Sequence, residues 1–234
     1  MGQKKLIRFE EIRQFSNVLE YPPDMKGNWH RFFGNQHPIT LELACGKGEY
    51  AVGLARLHPE ETFIGIDIKG NRIWRGAKTA LEEKMKNVAF IRSAIDQITA
   101  YFAANEIAGI WLTFPDPQLR ESRSKKRLTH PRFLRLYQQF LAPGARVHLK
   151  TDSPVLYTFT LEVINLFQLS LLYQTDDLYA GEQVSAELSI KTHYEGLDIA
   201  GSSRIHYICF QIDKPLPQEK DVLLKKLTRE PGID

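Results

Sequence analysis

Apolar segments alternate with amphipathic ones from residue 39 to residue 167, and this alternation constrains the fold more than any other feature of the chain. The apolar segments predict five strands, at 39–44, 62–67, 88–92, 107–114 and 146–150. The amphipathic segments predict helices, at 48–57, 73–86, 95–104, 131–140 and 155–167. Alternation with connections of this length predicts a parallel sheet with right-handed crossovers and helices on both faces.

Two further segments extend the pattern toward the end of the chain. Residues 169–174 are apolar and predict a sixth strand. Residues 204–212 place Ile205, Tyr207 and Cys209 on one side and the intervening side chains on the other, which is typical of a strand in a hairpin. We therefore expect an α/β fold with a mostly parallel seven-stranded sheet and an antiparallel last strand.

The chain has 234 residues, enough for one domain with short extensions at its ends. The alternating elements fill residues 39–213, which we predict to be the domain. Residues 1–38 are expected to form an N-terminal arm with a short helix at 9–19, and Trp29 is expected to pack the arm onto the domain. Residues 214–234 are expected to form a C-terminal tail.

The composition argues against several classes of protein. The two cysteines, Cys45 and Cys209, lie far apart without metal-ligand spacing, which favours a reducing compartment and no metal site. The N-terminal residues do not form a signal-peptide pattern. The longest charge-free run, at 163–175, is shorter than the roughly 20 apolar residues of a membrane-spanning helix. We expect a cytoplasmic protein that does not associate with a membrane.

A rigid acid follows the fourth predicted strand. Asp116 stands between Pro115 and Pro117, directly after the apolar run 107–114. Each proline fixes its own backbone and restricts the residue before it, so the Asp116 carboxylate is expected to be held stiffly at the carboxyl end of a central strand. Ligands of open α/β sheets bind at that edge. An aspartate between prolines is also a common turn former, and that interpretation stays open.

A basic loop comes next. Five cations stand against a single acid, Glu121, in residues 118–127: Arg120, Arg123, Lys125, Lys126 and Arg127. A run of this kind is often only a solvated surface, but its position beside Asp116 indicates chemistry on a polyanion, with the cations on its phosphates. Because the net charge of the whole chain is only +3, a polyanion site has to come from such local clustering.

The turn between the first predicted strand and helix has the features of a cofactor site. Gly46 and Gly48 let a ligand approach the backbone at a helix N-terminus. Glu42 is an acid inside an otherwise apolar strand, and Asp67 ends the second strand, where it can accept the hydroxyls of a ribose. Both a dinucleotide and S-adenosylmethionine fit this pattern. Glu49 occupies the place of the third glycine of the dinucleotide fingerprint, which favours a methyltransferase over a dehydrogenase.

With these motifs assembled, the chain resembles the bacterial tRNA (guanine-N7-)-methyltransferase family over residues 29–212. The resemblance is carried by four stretches: ELACGKG at 42–48, FPDPQLRESRSKKRL at 114–128, HLKTD at 148–152 and THYE at 192–195. The glycine-containing turn is general among class I methyltransferases. The FPDP block with its basic continuation, followed by the Thr-Asp pair, is specific to this family.

The resemblance implies a Rossmann-like class I methyltransferase that moves a methyl group from S-adenosylmethionine to N7 of guanine at variable-loop position 46 of tRNA. It implies these cofactor-binding residues: Glu42, Gly46, Gly48, Asp67, Ser93 and Asp116. Asp116 would also be the central catalytic acid. The residues implied to contact the substrate are Arg120, Asp152, Thr192, His193, Tyr194 and Glu195. Those expected to contact tRNA phosphates are Arg123, Lys125, Lys126 and Arg127.

Several residues depart from the family pattern. Ala44 replaces a usual glycine, Ser93 a common aspartate, Gln118 a common tryptophan and Arg120 a common lysine, and these changes bear on binding more than on the reaction. The family contains monomers and homodimers, so both stay open. Two other interpretations are a methyltransferase for another RNA, a protein or a small molecule, and a non-catalytic RNA-binding Rossmann domain.

Overall fold

A computed structural model describes residues 2–181, 183–193, 195 and 204–227 of the chain. Its eight strands are β1 (Val18–Glu20), β2 (Ile39–Leu43), β3 (Thr62–Asp67), β4 (Val88–Arg92), β5 (Ile107–Thr113), β6 (Leu141–Thr151), β7 (Ser170–Thr175) and β8 (His206–Gln211). They form one sheet in the order β1-β4-β3-β2-β5-β6-β8-β7. Strands β1 to β6 run parallel, whereas β8 is antiparallel to both of its neighbours. The predicted parallel sheet with an antiparallel last strand is confirmed.

The helices cover both faces of this sheet, as the alternation predicts. They are α1 (Gly2–Ile12), α2 (Trp29–Phe33), α3 (Glu49–Leu57), α4 (Gly70–Glu82), α5 (Pro131–Tyr137), α6 (Pro154–Phe167) and α7 (Lys220–Leu227). Two 3₁₀ segments add to them, Ile95–Ala100 and Glu121–Lys126. Within the residues that the structure describes, none of these helices has the length and apolar character of a membrane span.

Two hydrophobic cores lie on opposite faces of the sheet. One contains Leu41 of β2 together with Phe133 of α5 and Phe159 of α6. The other contains Phe90 of β4 together with Tyr50 of α3. Every residue of β2 and β3 is buried, because successive side chains of a strand point to opposite faces and both faces are covered here. Burial on both faces explains why these strands are nearly continuous apolar runs.

The N-terminal segment departs from the prediction. The helix predicted at 9–19 is wrong in its position, because α1 ends at Ile12 and Val18–Glu20 forms β1, which pairs with β4. The sheet therefore has eight strands and not the seven that were expected. Trp29 packs as predicted: its side chain is buried and its indole Nε1 donates to the Tyr101 carbonyl at 2.8 Å.

The segment between β7 and β8 is irregular where the structure describes it, and its residues 186–189 form turns. Three tyrosine and lysine contacts hold part of this segment against the carboxyl end of the sheet: Tyr50 Oη donates to the Glu187 carbonyl at 2.6 Å, and Lys150 Nζ donates to the carbonyls of Leu188 and Ile190. These contacts place Glu187, Leu188 and Ile190 next to the start of α3 and the end of β6.

Candidate active site

The turn after β2 has an unusual backbone conformation that brings the chain close to the sheet edge. Ala44, Gly46 and Gly48 all have positive φ values, of 56°, 55° and 68°. At Gly48 a Cβ atom would lie only 2.3 Å from Cε1 of Phe90, so a side chain has no room there. Ala44 adopts a left-handed conformation that glycine takes more easily, which locates strain at the position where this chain departs from the family pattern.

Glu42 ties this turn to the two elements beside it. Its side chain is buried; Oε2 accepts from the Ala51 N–H at 2.8 Å and Oε1 accepts from the Thr113 hydroxyl at 2.7 Å. Burial raises the pKa of Glu42 to about 8, and the two hydrogen bonds offset only part of that rise. A cation close to Glu42 would favour its ionised form, because opposite charges stabilise each other in a poorly solvated site.

Asp67 closes the turn from the neighbouring strand. Its Oδ2 accepts from the Gly46 N–H at 3.0 Å and its Oδ1 accepts from the Lys69 N–H at 2.7 Å. An ionised carboxylate has about four lone-pair positions, so two N–H donors leave acceptor capacity for a ligand. The acid predicted for a ribose therefore lies against the glycine turn, at the carboxyl end of β3.

Ser93 lies just beyond the end of β4 and is completely buried. Its N–H donates to the Asp67 carbonyl at 3.1 Å, and its hydroxyl lies 2.8 Å from the Tyr101 hydroxyl. The backbone of Ser93 thus supports the strand that carries Asp67, while its short side chain bonds within the protein. A direct contact of Ser93 with a cofactor stays a prediction.

Asp116 lies where the sequence predicts it, at the carboxyl end of the central strand β5, and its side chain is exposed. Its Oδ1 accepts from the Gln118 N–H at 3.0 Å, which makes a turn. Phe114 and Gln118 on either side have positive φ values of 49° and 47°. Asp116 is therefore both a turn former and an exposed acid, since one carboxylate oxygen makes the turn and the other has no hydrogen-bond partner within the described residues.

Four of the five cations of the basic loop have exposed side chains: Arg120, Arg123, Lys125 and Lys126. Arg127 differs from them, because it is only 4% exposed and its Nε and Nη2 donate to the carbonyls of Pro117 and Gln118 at 3.0 and 3.2 Å. Its guanidinium also lies 4.5 Å from the centroid of the Phe159 ring, and burial lowers its pKa. Arg127 therefore braces the loop around Asp116, a position that does not suit the phosphate contact expected from the charge pattern.

Of the remaining predicted substrate residues, those that the structure describes lie at the same edge. Asp152 follows β6 and is half-buried. Strand β6 pairs with β5 up to Thr113 and Lys150, so Asp152 and Asp116 follow adjacent strand ends. The Thr192 Oγ1 accepts from the Glu195 N–H at 3.3 Å, and the His193 N–H donates to Oε2 of Glu49 at 2.7 Å. Tyr194 lies outside the described residues.

Glu195 is bound from two sides. Its Oε2 accepts from Lys150 Nζ at 3.0 Å and its Oε1 accepts from the Tyr179 hydroxyl. The Glu195 side chain is 6% exposed and that of Lys150 is completely buried. The glutamate predicted to contact the substrate is thus part of an ion pair at the end of β6, next to the strand that carries Asp116.

Comparison with known proteins identifies the family. A family model described as "Putative methyltransferase" matches residues 36–203. A tRNA (guanine-N(7)-)-methyltransferase of Porphyromonas gingivalis is 51% identical over 216 residues, which make up 87% of this chain and 88% of that protein. A protein of the same name from Bacteroides thetaiotaomicron is 47% identical over 228 residues, or 94% of this chain and 88% of its own.

The chain belongs to the tRNA (guanine-N(7)-)-methyltransferase family.

Solved structures support the same fold for this family member. A 16S rRNA methyltransferase, KamB, matches with a TM-score of 0.59 at 13% identity, over 81% of this chain and 94% of that one. A 16S rRNA (adenine(1408)-N(1))-methyltransferase from Catenulisporales acidiphilia matches with a TM-score of 0.56 at 16% identity, over 82% and 94%. Similarity at these identities concerns the fold alone, and it confirms the predicted Rossmann-like methyltransferase architecture.

Four residues of this methyltransferase make structural contacts at the site that the sequence does not predict. They are Glu49, Arg127, Lys150 and Tyr179. The sequence distinguishes Glu49 only as the residue at the place of a third glycine, and Arg127 only as one cation among five. A usable signal existed for Lys150, because a lysine inside the apolar strand 146–150 needs a partner when it is buried. For Tyr179, which lies in an irregular segment, the pattern holds no such signal.

Proposed function

We propose that this protein transfers a methyl group from S-adenosylmethionine to N7 of guanine at variable-loop position 46 of tRNA. The observation that carries the proposal is the Asp116 carboxylate, exposed at the carboxyl end of β5 between the cofactor-type turn and four exposed cations. The names of the curated relatives supply the nucleoside and the kind of RNA.

The residues around the turn suit S-adenosylmethionine. Asp67 keeps acceptor capacity for the ribose hydroxyls, and the Gly46–Gly48 turn lets the ligand lie against the backbone at the start of α3. Glu42 suits a ligand that carries a positive charge, since burial otherwise favours its neutral form. When bound, S-adenosylmethionine supplies the methyl group, and guanine N7 accepts it with a lone pair and no proton to lose.

The protein's task in such a transfer is to orient the base and to stabilise the positive charge that develops on it. Carboxylates can do both, because they accept hydrogen bonds from the N1–H and N2–H₂ groups of guanine and are favourable neighbours of a cationic ring. We assign this role to Asp116 with Asp152 and Glu195. Asp116 then orients the base and does not remove a proton. Thr192, His193 and Tyr194 are proposed to complete the substrate contacts.

The exposed cations are proposed to bind the tRNA backbone. Arg120, Arg123, Lys125 and Lys126 follow Asp116 within ten residues, so phosphates on either side of the target guanine could reach them. Since the substrate is tRNA, we infer that the protein works in the cytoplasm, and the proposed transfer needs no metal ion.

Identification of the product tests this proposal. The protein is incubated with methyl-labelled S-adenosylmethionine and an unmodified tRNA transcript, and the RNA is digested to nucleosides whose masses are measured. We expect label in 7-methylguanosine, lost when the guanine at position 46 is changed to adenine. Label in another nucleoside, or an unchanged yield from the altered transcript, would contradict the assigned reaction or target. A protein that binds tRNA without any transfer would support the non-catalytic alternative.

A further inference from the structure

We infer that Lys150 is a positioning residue of the methyl transfer, which fixes Glu195 and the segment that precedes it against the edge that carries Asp116. This inference rests on the proposed function, because it gives Lys150 its effect through the contact of Glu195 with guanine. The family resemblance assigns no role to Lys150. The positioning role is argued from the contacts around its ammonium group.

The ammonium group of Lys150 is fully enclosed and fully used by the protein. Its side chain is completely buried, and Nζ lies within hydrogen-bond distance of four oxygens. These are the Tyr179 hydroxyl at 3.1 Å, the Leu188 carbonyl at 2.8 Å, the Ile190 carbonyl at 3.1 Å and Glu195 Oε2 at 3.0 Å. An ammonium has three N–H donors, so these four acceptors leave none for a substrate. Lys150 can therefore act only through its neighbours.

Those neighbours belong to two separate parts of the site. Three of the four acceptors come from the segment that runs from Leu188 to Glu195, which includes the predicted substrate residues Thr192 and His193. On the other side, the Lys150 carbonyl accepts from the Phe114 N–H at 2.8 Å, and Nζ lies 5.7 Å from the centroid of the Phe114 ring. Lys150 thus connects the segment that ends in Glu195 with the strand end that leads to Asp116.

The charges explain how this connection can matter for the reaction. A buried ammonium needs an opposite charge, and Glu195 is the partner that the ion pair supplies. Both oxygens of Glu195 accept from the protein, from Lys150 and from Tyr179, yet an ionised carboxylate has lone-pair positions for further donors. Glu195 is therefore held in one orientation while it keeps the capacity to accept from the guanine edge.

A second tie holds the same segment from the cofactor side. Glu49 is the first residue of α3, directly after the glycine turn, and its Oε2 accepts from the His193 N–H at 2.7 Å. The segment is thus anchored to the end of β6 by Lys150 and to the start of α3 by Glu49. Loss of Lys150 should release Glu195 while the Glu49 tie and the cofactor turn stay in place.

The test compares Lys150→Met with Lys86→Met in steady-state methyl transfer to the tRNA transcript. Methionine keeps the unbranched shape and removes the charge, whereas Lys86 is an exposed lysine in the turn before β4 and serves as the matched control. For Lys150→Met we expect kcat/KM for tRNA to fall about 100-fold, the order reported for misplaced reacting groups, while KM for S-adenosylmethionine changes less than about threefold. Lys86→Met should equal the parent protein.

A double variant separates positioning from general damage. If Lys150 acts through Glu195, Lys150→Met combined with Glu195→Gln should be no slower than Glu195→Gln alone. A double variant whose loss of rate equals the product of the two single losses would overturn the inference. A native rate for Lys150→Met together with an impaired Glu195→Gln would also overturn it. A native rate for Glu195→Gln would instead remove Glu195 from the proposed site, and no transfer by the parent protein would contradict the proposed function itself.

Tyr179→Phe keeps the test decisive if Lys150→Met does not fold. This change removes a hydroxyl that bonds to both Lys150 and Glu195, from a side chain that is 42% exposed, so the fold should survive. We expect a smaller loss in kcat/KM for tRNA, about 3- to 10-fold, as for one hydrogen bond. An unchanged value for a folded Tyr179→Phe protein would count against the network.

Discussion

Three acids, Glu42, Asp67 and Asp116, lie near the glycine turn and the carboxyl end of β5, and their surroundings differ sharply. Glu42 is enclosed and its pKa is raised to about 8. Asp67 is buried but receives two backbone N–H groups, and Asp116 is exposed with one oxygen engaged in a turn. Carboxyl groups placed in different environments can carry different tasks, and the proposed function gives these three the cofactor charge, the ribose and the base in that order.

The raised pKa of Glu42 predicts a pH-dependent stability of the cofactor-free protein. The folded state binds the Glu42 proton more tightly than the unfolded chain does, so this contribution is full below about pH 4.5 and is lost as the pH rises through about 8. Glu42→Gln stays neutral and should lose this dependence. Thermal unfolding measured from pH 5 to pH 9 should show the variant gaining on the parent by up to about 1 kcal/mol per pH unit. Parallel curves for the two proteins would contradict the buried neutral acid.

Arg127 is the residue that makes the loop after β5 a fixed element. Its guanidinium donates to the carbonyls of Pro117 and Gln118, the two residues that follow Asp116. Arginine provides two N–H groups in a rigid fork for such a task, which a lysine cannot reproduce. The rigidity expected from Pro115 and Pro117 thus also depends on the hydrogen bonds from Arg127.

Arg127→Ala should therefore behave differently from Arg123→Ala, an exposed cation four residues earlier. We expect Arg127→Ala to lower the free energy of unfolding by about 1–3 kcal/mol, because two partly buried carbonyls lose their donor, and to reduce kcat. Arg123→Ala should leave stability unchanged and weaken tRNA binding. Chemical denaturation and steady-state kinetics of both variants make the comparison. Equal stability of the two would show that the buried clamp is unimportant.

Local patterns were enough to predict most elements but not the contacts between them. The strands at 62–67 and 88–92 have the predicted bounds, because a doubly buried strand is an apolar run of its own length. Strand β1 has only three residues, too few for a period to be visible, and it exists because it pairs with β4. The motifs likewise indicated Asp116 and the glycine turn.

The roles of Lys150 and Arg127 could not be predicted because they depend on parts of the chain far away. The ammonium group of Lys150 is enclosed by Tyr179, Leu188, Ile190 and Glu195, which follow it by 29 to 45 residues in the chain. Arg127 is buried because it meets Phe159 of α6 and the turn that follows Asp116. A pattern of charges along the chain shows how many cations a segment has, but not which of them the fold will enclose.

The parallel sheet places the candidate site residues at one edge of the molecule, where the carboxyl ends of its strands lie. Strands β3, β2, β5 and β6 are neighbours, and their carboxyl ends carry Asp67, the glycine turn, Asp116 and Asp152 in that order. Neighbouring strands are about 4.8 Å apart, so these groups span a distance comparable to a nucleoside with its phosphate. The exposed cations extend this edge into solvent, although the net charge of the chain is only +3.

The salt dependence of tRNA binding measures this local charge. Neutralising Lys125 and Lys126 to glutamine should reduce the slope of log affinity against log salt by about 0.7–0.9 for each lysine that contacts a phosphate. The exposed pair Lys225 and Lys226 in α7 provides a matched control of equal charge and spacing, which should leave the slope unchanged. Equal salt slopes for the two double variants would mean that tRNA binds to another surface of the molecule.

The most direct test of the central claim is the single-turnover rate of methyl transfer by Asp116→Asn on the tRNA transcript, with the affinities for S-adenosylmethionine and tRNA measured alongside. Asparagine keeps the oxygen that accepts from the Gln118 N–H, so the turn should persist. We predict a rate about 100-fold or more below that of the parent, with both affinities within about threefold, because the lost charge acts on the transition state. A near-native rate would contradict the account, since the exposed acid at the end of β5 would then not be part of the chemistry.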